Sequence, residues 1–378
     1  MRVLLNAVNC TALGPRAIME SLVPLMATVA VDSRFLAIVP RGCGYENWTP
    51  PPNLVLEFVE RSGIREWQRL LDIFLRVPTW CRTFGADVCF TLGDVGPLWL
   101  PIPQVVLMHR SLLVDDPSAW RAFPWTYRLT LSYLSHHLRW MSRSTARFIV
   151  QSPVVQERLA KHCRIGLDRI RVIPQPLPQH MASVDAVLPH PVVSGIEACK
   201  LVFVSGYRVH RNHAVIRPLV EEMRRRGLDK RVHIFVTLSC DGDAHCEALL
   251  RELSRFPSAV TNLGSIDRND IAGVYKAADA LFLPTLSESL GFPYLEAMAT
   301  GTPILTSHFE FARWCCRDLA TYFDPTSPES IADAIESFLD AGVPTGYRER
   351  ALERLAEFPA GWEQVVKSYL DVLRESLA

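Results

Sequence analysis

The sequence predicts an α/β protein of two domains, each built on a parallel sheet covered by helices. Three observations carry that reading. Short apolar runs alternate with longer helix-like stretches along most of the chain, the rhythm of strands joined by helical crossovers. A proline-rich interval breaks the rhythm once, near the middle. The length, 378 residues, exceeds what one ordinary core holds and suits two domains of about 150–200 residues each.

The first domain is placed over residues 1–175. Met1 to Val8 is too short for the apolar core of a signal peptide and lacks a convincing cleavage site, so it reads as the opening strand, Val3 to Val8. Further strands are expected at Arg34–Val39, Leu54–Phe58, Val88–Thr91, Gln104–Met108 and Arg147–Gln151. The stretch from Ile173 to Val193 then carries Pro174, Pro176, Pro178, Pro189 and Pro191 with no period, so a linker is placed over 176–196. A second domain, 197–355, is expected to hold strands at Lys200–Ser205, Val232–Val236, Ala259–Leu263, Ala280–Pro284 and Pro303–Thr306. Phe358, Trp362, Val366, Tyr369 and Val372 share one face at helical spacing, which makes 356–378 a terminal helix.

Composition excludes several classes. Apolar residues make up 49% and the formal net charge is zero, so the basic footprint of a nucleic-acid binder is missing. No run of about 18 apolar residues occurs, hence no transmembrane helix is expected, and the expected location is the cytoplasm. The ten cysteines are scattered with no C-x-x-C pair; reduced thiols are the plain reading. Cys240 and Cys246 lie near Asp241, Asp243 and His245, but their spacing matches no structural zinc pattern. No metal is assigned.

The richest stretch runs from Leu281 to Thr306. A short strand ends near Pro284, Gly291 and Pro293 mark a turn and a helix start, and Tyr294 to Ala299 is a helix closed by Gly301. Glu288 therefore sits on a loop at the carboxyl end of a strand, where open α/β sheets bind ligands, and Glu296 lies in the first turns of the helix. The N–H groups of Ser289, Leu290 and Gly291 would face an anion placed there; a diphosphate fits. The two carboxylates would repel a bare phosphate, which leaves them sugar or ribose hydroxyls as partners. The alternative is that Glu296 only complements the helix dipole and Glu288 is a solvated loop residue.

A second cluster follows the first strand of the second domain, Val204 to His213. Gly206 permits close backbone approach, and Arg211, with Arg208 as the backup, would neutralise phosphate charge. A solvated basic turn is the competing reading. In the first domain the loop Asn9 to Arg16 follows the opening strand but is not a G-x-G-x-x-G fingerprint, which counts against a nicotinamide dehydrogenase.

These blocks resemble the retaining GT-B glycosyltransferases of family 4. Glu288 and Glu296 bracket seven residues as in that family's E-x7-E signature, followed by Ala297-Met298-Ala299 and Gly301-Thr302-Pro303; Leu263-Gly264-Ser265-Ile266, Ala277-Ala278-Asp279-Ala280 and Tyr322-Phe323-Asp324-Pro325 follow the family pattern in order. The resemblance implies a GT-B architecture, two Rossmann-like domains whose parallel sheets face a central cleft, with the terminal helix crossing back near Trp362 to the first domain. It implies that Glu288 orients sugar hydroxyls and Glu296 holds the ribose. Arg211 and Asn212 stand where relatives carry Lys before Asn or Gly, and backbone near Ser265 and Ile266 contacts the base. Gly14 and, more loosely, Arg16 match the family's first loop beside the diphosphate. His109 stands where relatives place a histidine facing the donor sugar.

Between Pro117 and Gln156 there is no Asp or Glu, while Arg121, Arg128, Arg139, Arg143 and Arg147 interleave with Trp120, Phe123, Trp125, Tyr127, Tyr133 and Trp140. Cations with aromatics on a helix suit an anionic membrane surface. Relatives also carry a basic helix here that packs inside the domain, and both readings stand.

The expected activity is metal-independent transfer, with retention, of a sugar from a nucleotide-diphosphate sugar to a hydroxyl of a glycan or polyprenyl-linked glycan, in bacterial surface polysaccharide synthesis. The nucleotide sugar is a co-substrate and no cofactor is assigned. His210-Arg211-Asn212-His213 resembles the H-K-N-H run of some bacterial polysaccharide mannosyltransferases, which points to mannose from GDP-mannose; UDP-linked donors stay open. A catalytically silent GT-B subunit and a nucleotide-sugar epimerase of the same fold are the alternatives.

Overall fold

A computed structural model describes residues 1–10, 13–60, 71–116, 120–121, 123–182 and 184–377, with the backbone alone for 13–17, 73 and 185. The chain divides into two compact units. Unit 1 is Met1–Pro176 with Pro359–Ala378, and unit 2 is Leu177–Phe358.

Unit 1 holds a seven-stranded sheet in the order β3-β2-β1-β4-β5-β6-β7. The strands are β1 Arg2–Asn6, β2 Arg34–Pro40, β3 Leu54–Val59, β4 Val88–Thr91, β5 Gln104–Leu107, β6 Arg147–Val150 and β7 Ile170–Val172. Every pairing is parallel. The central strands β4 and β5 are buried at every position, because helices cover both faces; hence they read as continuous rather than alternating apolar runs.

The covering helices are α1 Leu13–Val29, α2 Val77–Phe84, α3 Trp125–Met141 and α4 Pro153–Cys163. The β3→β4, β5→β6 and β6→β7 connections advance the same way along the sheet, and β1→β2 advances the other way. Right-handed crossovers therefore put α2, α3 and α4 on one face and α1 on the opposite one.

Unit 2 carries a six-stranded parallel sheet in the order β10-β9-β8-β11-β12-β13. Its strands are β8 Cys199–Phe203, β9 Val232–Val236, β10 Val260–Asn262, β11 Ala280–Leu283, β12 Ile304–Ser307 and β13 Ala320–Phe323. Its helices are α5 Pro191–Ser194, α6 Ile216–Arg226, α7 Ala244–Leu253, α8 Ile271–Ala277, α9 Phe292–Thr300, α10 Glu310–Cys316, α11 Pro328–Ala341 and α12 Tyr347–Leu355. The last helix, α13 Trp362–Glu375, belongs to unit 1 and packs on α1. Its buried Tyr369 meets Phe90 of β4 edge to face at 5.8 Å.

Two placements differ from the sequence reading. The stretch 177–196, expected as a linker, is part of unit 2: Met181 and Val193 lie in its core, and His190 N–H donates to Gly273 O at 2.9 Å. Its elements are single turns separated by prolines, too short to show a period. Cys240 and Cys246, expected as thiols, form a disulfide. The Asp243 side chain accepts N–H bonds from His245 and Cys246, and the tight turn it caps sets the two Cα atoms 5.3 Å apart, within the span a disulfide bridges. Among the described residues no helix is long and apolar enough to cross a membrane.

Candidate active site

In unit 2 the loop after β11 and the loop after β8 meet at the carboxyl edge of the sheet. Leu286 N–H donates to His210 O at 2.7 Å, which fixes the two loops side by side. Across that seam Arg211 Nη1 donates to Glu288 Oε1 in an ion pair. Thr285 supplies a second hydrogen bond to the same oxygen at 3.0 Å, although its single hydroxyl proton also has His210 O at 3.1 Å within reach. Glu288 is buried. Burial pushes its carboxyl above the ordinary glutamate value, and Arg211 and Thr285 oppose the rise without cancelling it.

Asn212, in the left-handed conformation at φ 61°, turns the chain after Arg211 and donates to Pro325 O at 2.8 Å. His210 and His213 flank Arg211. Burial, reinforced by the Arg211 charge, pulls both imidazoles down to about 3; His213 also lies flat on Phe203, ring centroids 4.1 Å apart. Neutral imidazoles here keep the positive charge on the arginine. Gly206 and Arg208 lie exposed on the same loop, and Arg208 Nη1 donates to Tyr207 O at 2.7 Å.

The helix start that follows is shaped by Gly291. Its φ is 87°, and a Cβ there would lie 2.6 Å from the ring of Tyr294, so both backbone and packing require glycine. Tyr294 is fully buried and bonded to Thr306 Oγ1 at 2.8 Å, and Thr306 in turn donates to Leu283 O at 2.8 Å. This chain ties α9 to strands β11 and β12. Among the described residues no acceptor meets the N–H groups of Ser289, Leu290 and Gly291, so α9 presents free donors and its positive end beside Arg211.

Glu296 lies on the buried face of α9. Tyr275 O–H donates to its Oε2 at 2.9 Å, and His180 Nε2 lies 3.3 Å from Oε1. A carboxylate has about four acceptor sites, so these partners orient Glu296 without filling it. Ser265 and Ile266 sit beyond β10, three strands along from β11. Asn262 Oδ1 shapes their loop by accepting from Leu238 N–H at 2.9 Å and Gly264 N–H at 3.1 Å.

In unit 1, His109 follows β5 and is anchored by Asp94, which accepts from the N–H groups of His109 at 2.6 Å and Arg110 at 2.8 Å and from Arg110 Nε at 2.7 Å. Asp94 is buried, at φ 66°. Burial works to raise its pKa, but Arg110, His109 and the donated hydrogen bonds outweigh it and hold the carboxyl below its ordinary value. The His109 imidazole is lowered by burial, with Asp94 in opposition. Gly14 and Arg16 fall in the first turn of α1; their side-chain surroundings lie outside the described residues, as do positions 117–119 and 122 of the acid-free segment.

The structure thus joins Arg211 to Glu288 and seats both against the free N–H groups of α9. It places Glu296 one helix face away and the Ser265 loop at the far side of the same sheet edge. Sequence reasoning gave no site role to Thr285, Tyr275, His180 or Asp94; Thr285 is a near neighbour of Glu288, whereas Tyr275, His180 and Asp94 act on partners distant in sequence. It also passed over Asp241-Gly242-Asp243, a D-x-D triplet. Asp243 serves there as the N-cap of α7 and Asp241 accepts from Ser239 Oγ at 2.8 Å.

Two family profiles match the chain: "Glycosyltransferase Family 4" over residues 43–178 and "Glycosyl transferases group 1" over residues 245–354. Among curated proteins, a D-inositol 3-phosphate glycosyltransferase of Paenarthrobacter aurescens is 24% identical over 62% of this chain and 58% of its own length. The serotype-specific mannosyltransferase WbdA of Escherichia coli is 25% identical over 68% of this chain and 30% of its own. The match thus spans less than two thirds of either relative. Among solved structures, HepE of Anabaena in complex with UDP and glucose superposes with a TM-score of 0.67 at 13% identity, covering 99% of this chain and all of that one.

Proposed function

This chain belongs to the family 4 glycosyltransferases of the GT-B fold, and we propose that it moves a sugar from a nucleoside-diphosphate sugar to a hydroxyl of a glycan or lipid-linked glycan. The observation that carries the reading is the Arg211–Glu288 pair seated against the free N–H groups of Ser289, Leu290 and Gly291. A guanidinium has five N–H donors in a fixed fork, so Arg211 can hold Glu288 and still turn donors toward a diphosphate. The N–H groups at the start of α9 meet the same anion. Positive charge and dipole are thereby aimed where negative charge grows as the diphosphate departs, the kind of preorganised stabilisation that lowers a barrier most.

Glu288 accepts the sugar hydroxyls and opposes the positive charge that develops on the sugar ring. Glu296, held by Tyr275, receives the ribose hydroxyls, and backbone near Ser265 and Ile266 takes the base. His109 of unit 1, its backbone N–H held by Asp94, is given a part in the reaction by the family resemblance alone. Transfer with retention and without a metal ion is part of the same reading, supported by the likeness to retaining relatives and by a cationic side chain at the anion position. The likeness to a mannosyltransferase and the His210–His213 run favour mannose from GDP-mannose, for a polysaccharide acceptor.

The test is a thermal-shift panel of GDP, UDP, dTDP and ADP with their sugars, followed by nucleotide release from the preferred donor. A ligand that binds only the folded protein raises its melting temperature. One preferred nucleotide whose shift is lost in Arg211→Ala, with release of that nucleotide on adding acceptor, is the expected result. Affinity with no turnover for any acceptor would make the chain a silent binding subunit.

A further inference from the structure

Unit 1 carries an apolar and basic surface that the transfer reaction does not use. Along α3 the outward positions Trp125, Leu129, Tyr133 and Trp140 recur at spacings of four and seven, which places them on one helical stripe. Trp125 is 68% exposed and Trp140 59%, while Leu131, Leu134, Leu138 and Met141 bury the opposite face. Arg128 and Arg143 border the stripe in the open, and Arg143 stacks on Trp140 with its guanidinium carbon 4.4 Å from the ring centre. An open groove of about 800 Å³ runs beside the first turn, between Trp120, Arg121, Trp125 and Arg128, with Asp116 at its rim.

This stripe continues beyond α3. Its last turns hold the loop before β5 through His137 Nε2 to Gly96 O at 2.8 Å and a bond from Ser144 Oγ to Leu98 O. The next residue, Trp99, is 68% exposed. On its other side the same loop packs Leu100 and Ile102 against Val77 and Cys81 of α2, and just before α2 stand exposed Phe74 and Leu75. Both helices lie on one face of the sheet, and the loop that carries Trp99 is tied to each of them. Neither helix contains an acidic residue.

Tryptophan and tyrosine rings settle at a membrane interface, and arginines beside them meet anionic headgroups. A protein partner of this patch would need an acidic surface and a matching hollow; a bilayer supplies the charge and deforms around the rings. We propose that the flank formed by Phe74, Leu75, Trp99 and the outer stripe of α3 docks unit 1 on an anionic lipid surface, with Arg128 and Arg143 at the phosphates. The proposal goes beyond the transfer reaction and stands without it.

The experiment is co-sedimentation of the full chain with vesicles of phosphatidylcholine alone and of an equal mixture with phosphatidylglycerol, at low and high salt. Binding to the anionic vesicles that weakens at high salt is expected, since surface charges are screened. Arg128→Gln with Arg143→Gln should lower partitioning by roughly thirty-fold, from about fivefold per cation near the surface. Trp99→Ser with Trp140→Ser should abolish it while leaving the melting temperature unchanged, because both rings are exposed. No sedimentation with anionic vesicles, or equal binding by these variants, would overturn the proposal. So would a dimer in sedimentation equilibrium that the tryptophan substitutions dissolve, which would assign the flank to a second copy of the chain.

Discussion

Arg211 and Glu288, 77 residues apart in sequence, form an ion pair at the carboxyl edge of the second sheet. The glutamate is buried and the arginine about one-fifth exposed, so each depends on the other unequally. Arg211→Ala leaves a buried carboxylate without its cation, which costs about 3–5 kcal/mol for a fully buried pair and toward the lower end here. An acid whose folded pKa is raised favours folding less as pH rises through the window above its ordinary value. The deficit of Arg211→Ala should therefore be largest at neutral pH and shrink on acidification to pH 5. Adding Glu288→Gln should restore most of the lost melting temperature at pH 7. An unchanged deficit at both pH values would remove Glu288 as its source.

Glu288→Gln in the otherwise intact protein tests the chemistry. The amide keeps the shape but not the charge that faces the sugar. Turnover should fall on the order of 10² while nucleotide affinity changes little, because the interaction belongs to the transition state. Initial rates and nucleotide titration on the same preparation separate the two, and near-normal turnover would end the role assigned to Glu288.

His213 reports the electrostatics around Arg211. Its pKa of about 3 lies below that of a free imidazole, so the folded state holds fewer protons between the two values. The stability is full above about pH 6.5 and declines as pH falls toward 3, by about 1.4 kcal/mol for each pH unit. His213→Phe keeps the stack on Phe203 and carries no proton. It should lose about 2 kcal/mol less than the parent between pH 7 and pH 5, read from denaturant unfolding at both pH values. Parallel curves for the two proteins would refute the assignment.

Gly291→Ala forces a Cβ into a left-handed position and against the Tyr294 ring. Strain of this kind costs about 1–3 kcal/mol. The loss should appear as a lower melting temperature together with weaker nucleotide binding, since the N–H groups of Ser289 to Gly291 move with the turn. Gly206→Ala, where the added carbon meets nothing within 4 Å, is the control that should leave stability unchanged.

The terminal helix offers a cleaner energetic test. Tyr369 is fully buried, and among the described residues its hydroxyl has no partner. Tyr369→Phe removes an unsatisfied group and should be neutral or stabilising, whereas Tyr369→Ala opens a cavity worth about 3–5 kcal/mol. Thermal denaturation of the two variants gives the comparison directly.

Much of this was legible in the sequence because it is local. Glu288 and Glu296 lie on one loop and the helix it starts, so the strand, turn and helix signals around them placed Glu288 at a strand end and Glu296 in the first turns of the helix. The strands of both sheets are buried on two faces and stand out as apolar runs. What escaped was long-range or aperiodic. Nothing near Arg211 announces Glu288 as its partner, and Tyr275 and His180 reach Glu296 from other elements. The prolines between 176 and 196 suggested a linker, since single turns that deliver Met181 and Val193 to a core leave no repeat to detect. Asp94 acts through backbone N–H groups, an arrangement that depends on its left-handed φ rather than on any neighbour in sequence.

Because α13 packs on α1 although all of unit 2 lies between them in the chain, unit 1 is completed only by residues made after unit 2. During synthesis the part of α1 that α13 covers stays open while the whole of unit 2 emerges and can already close its own sheet. Unit 1 begins first and is finished second, and a ribosome stalled before Trp362 would hold a chain with a complete second unit and a first unit lacking its last helix.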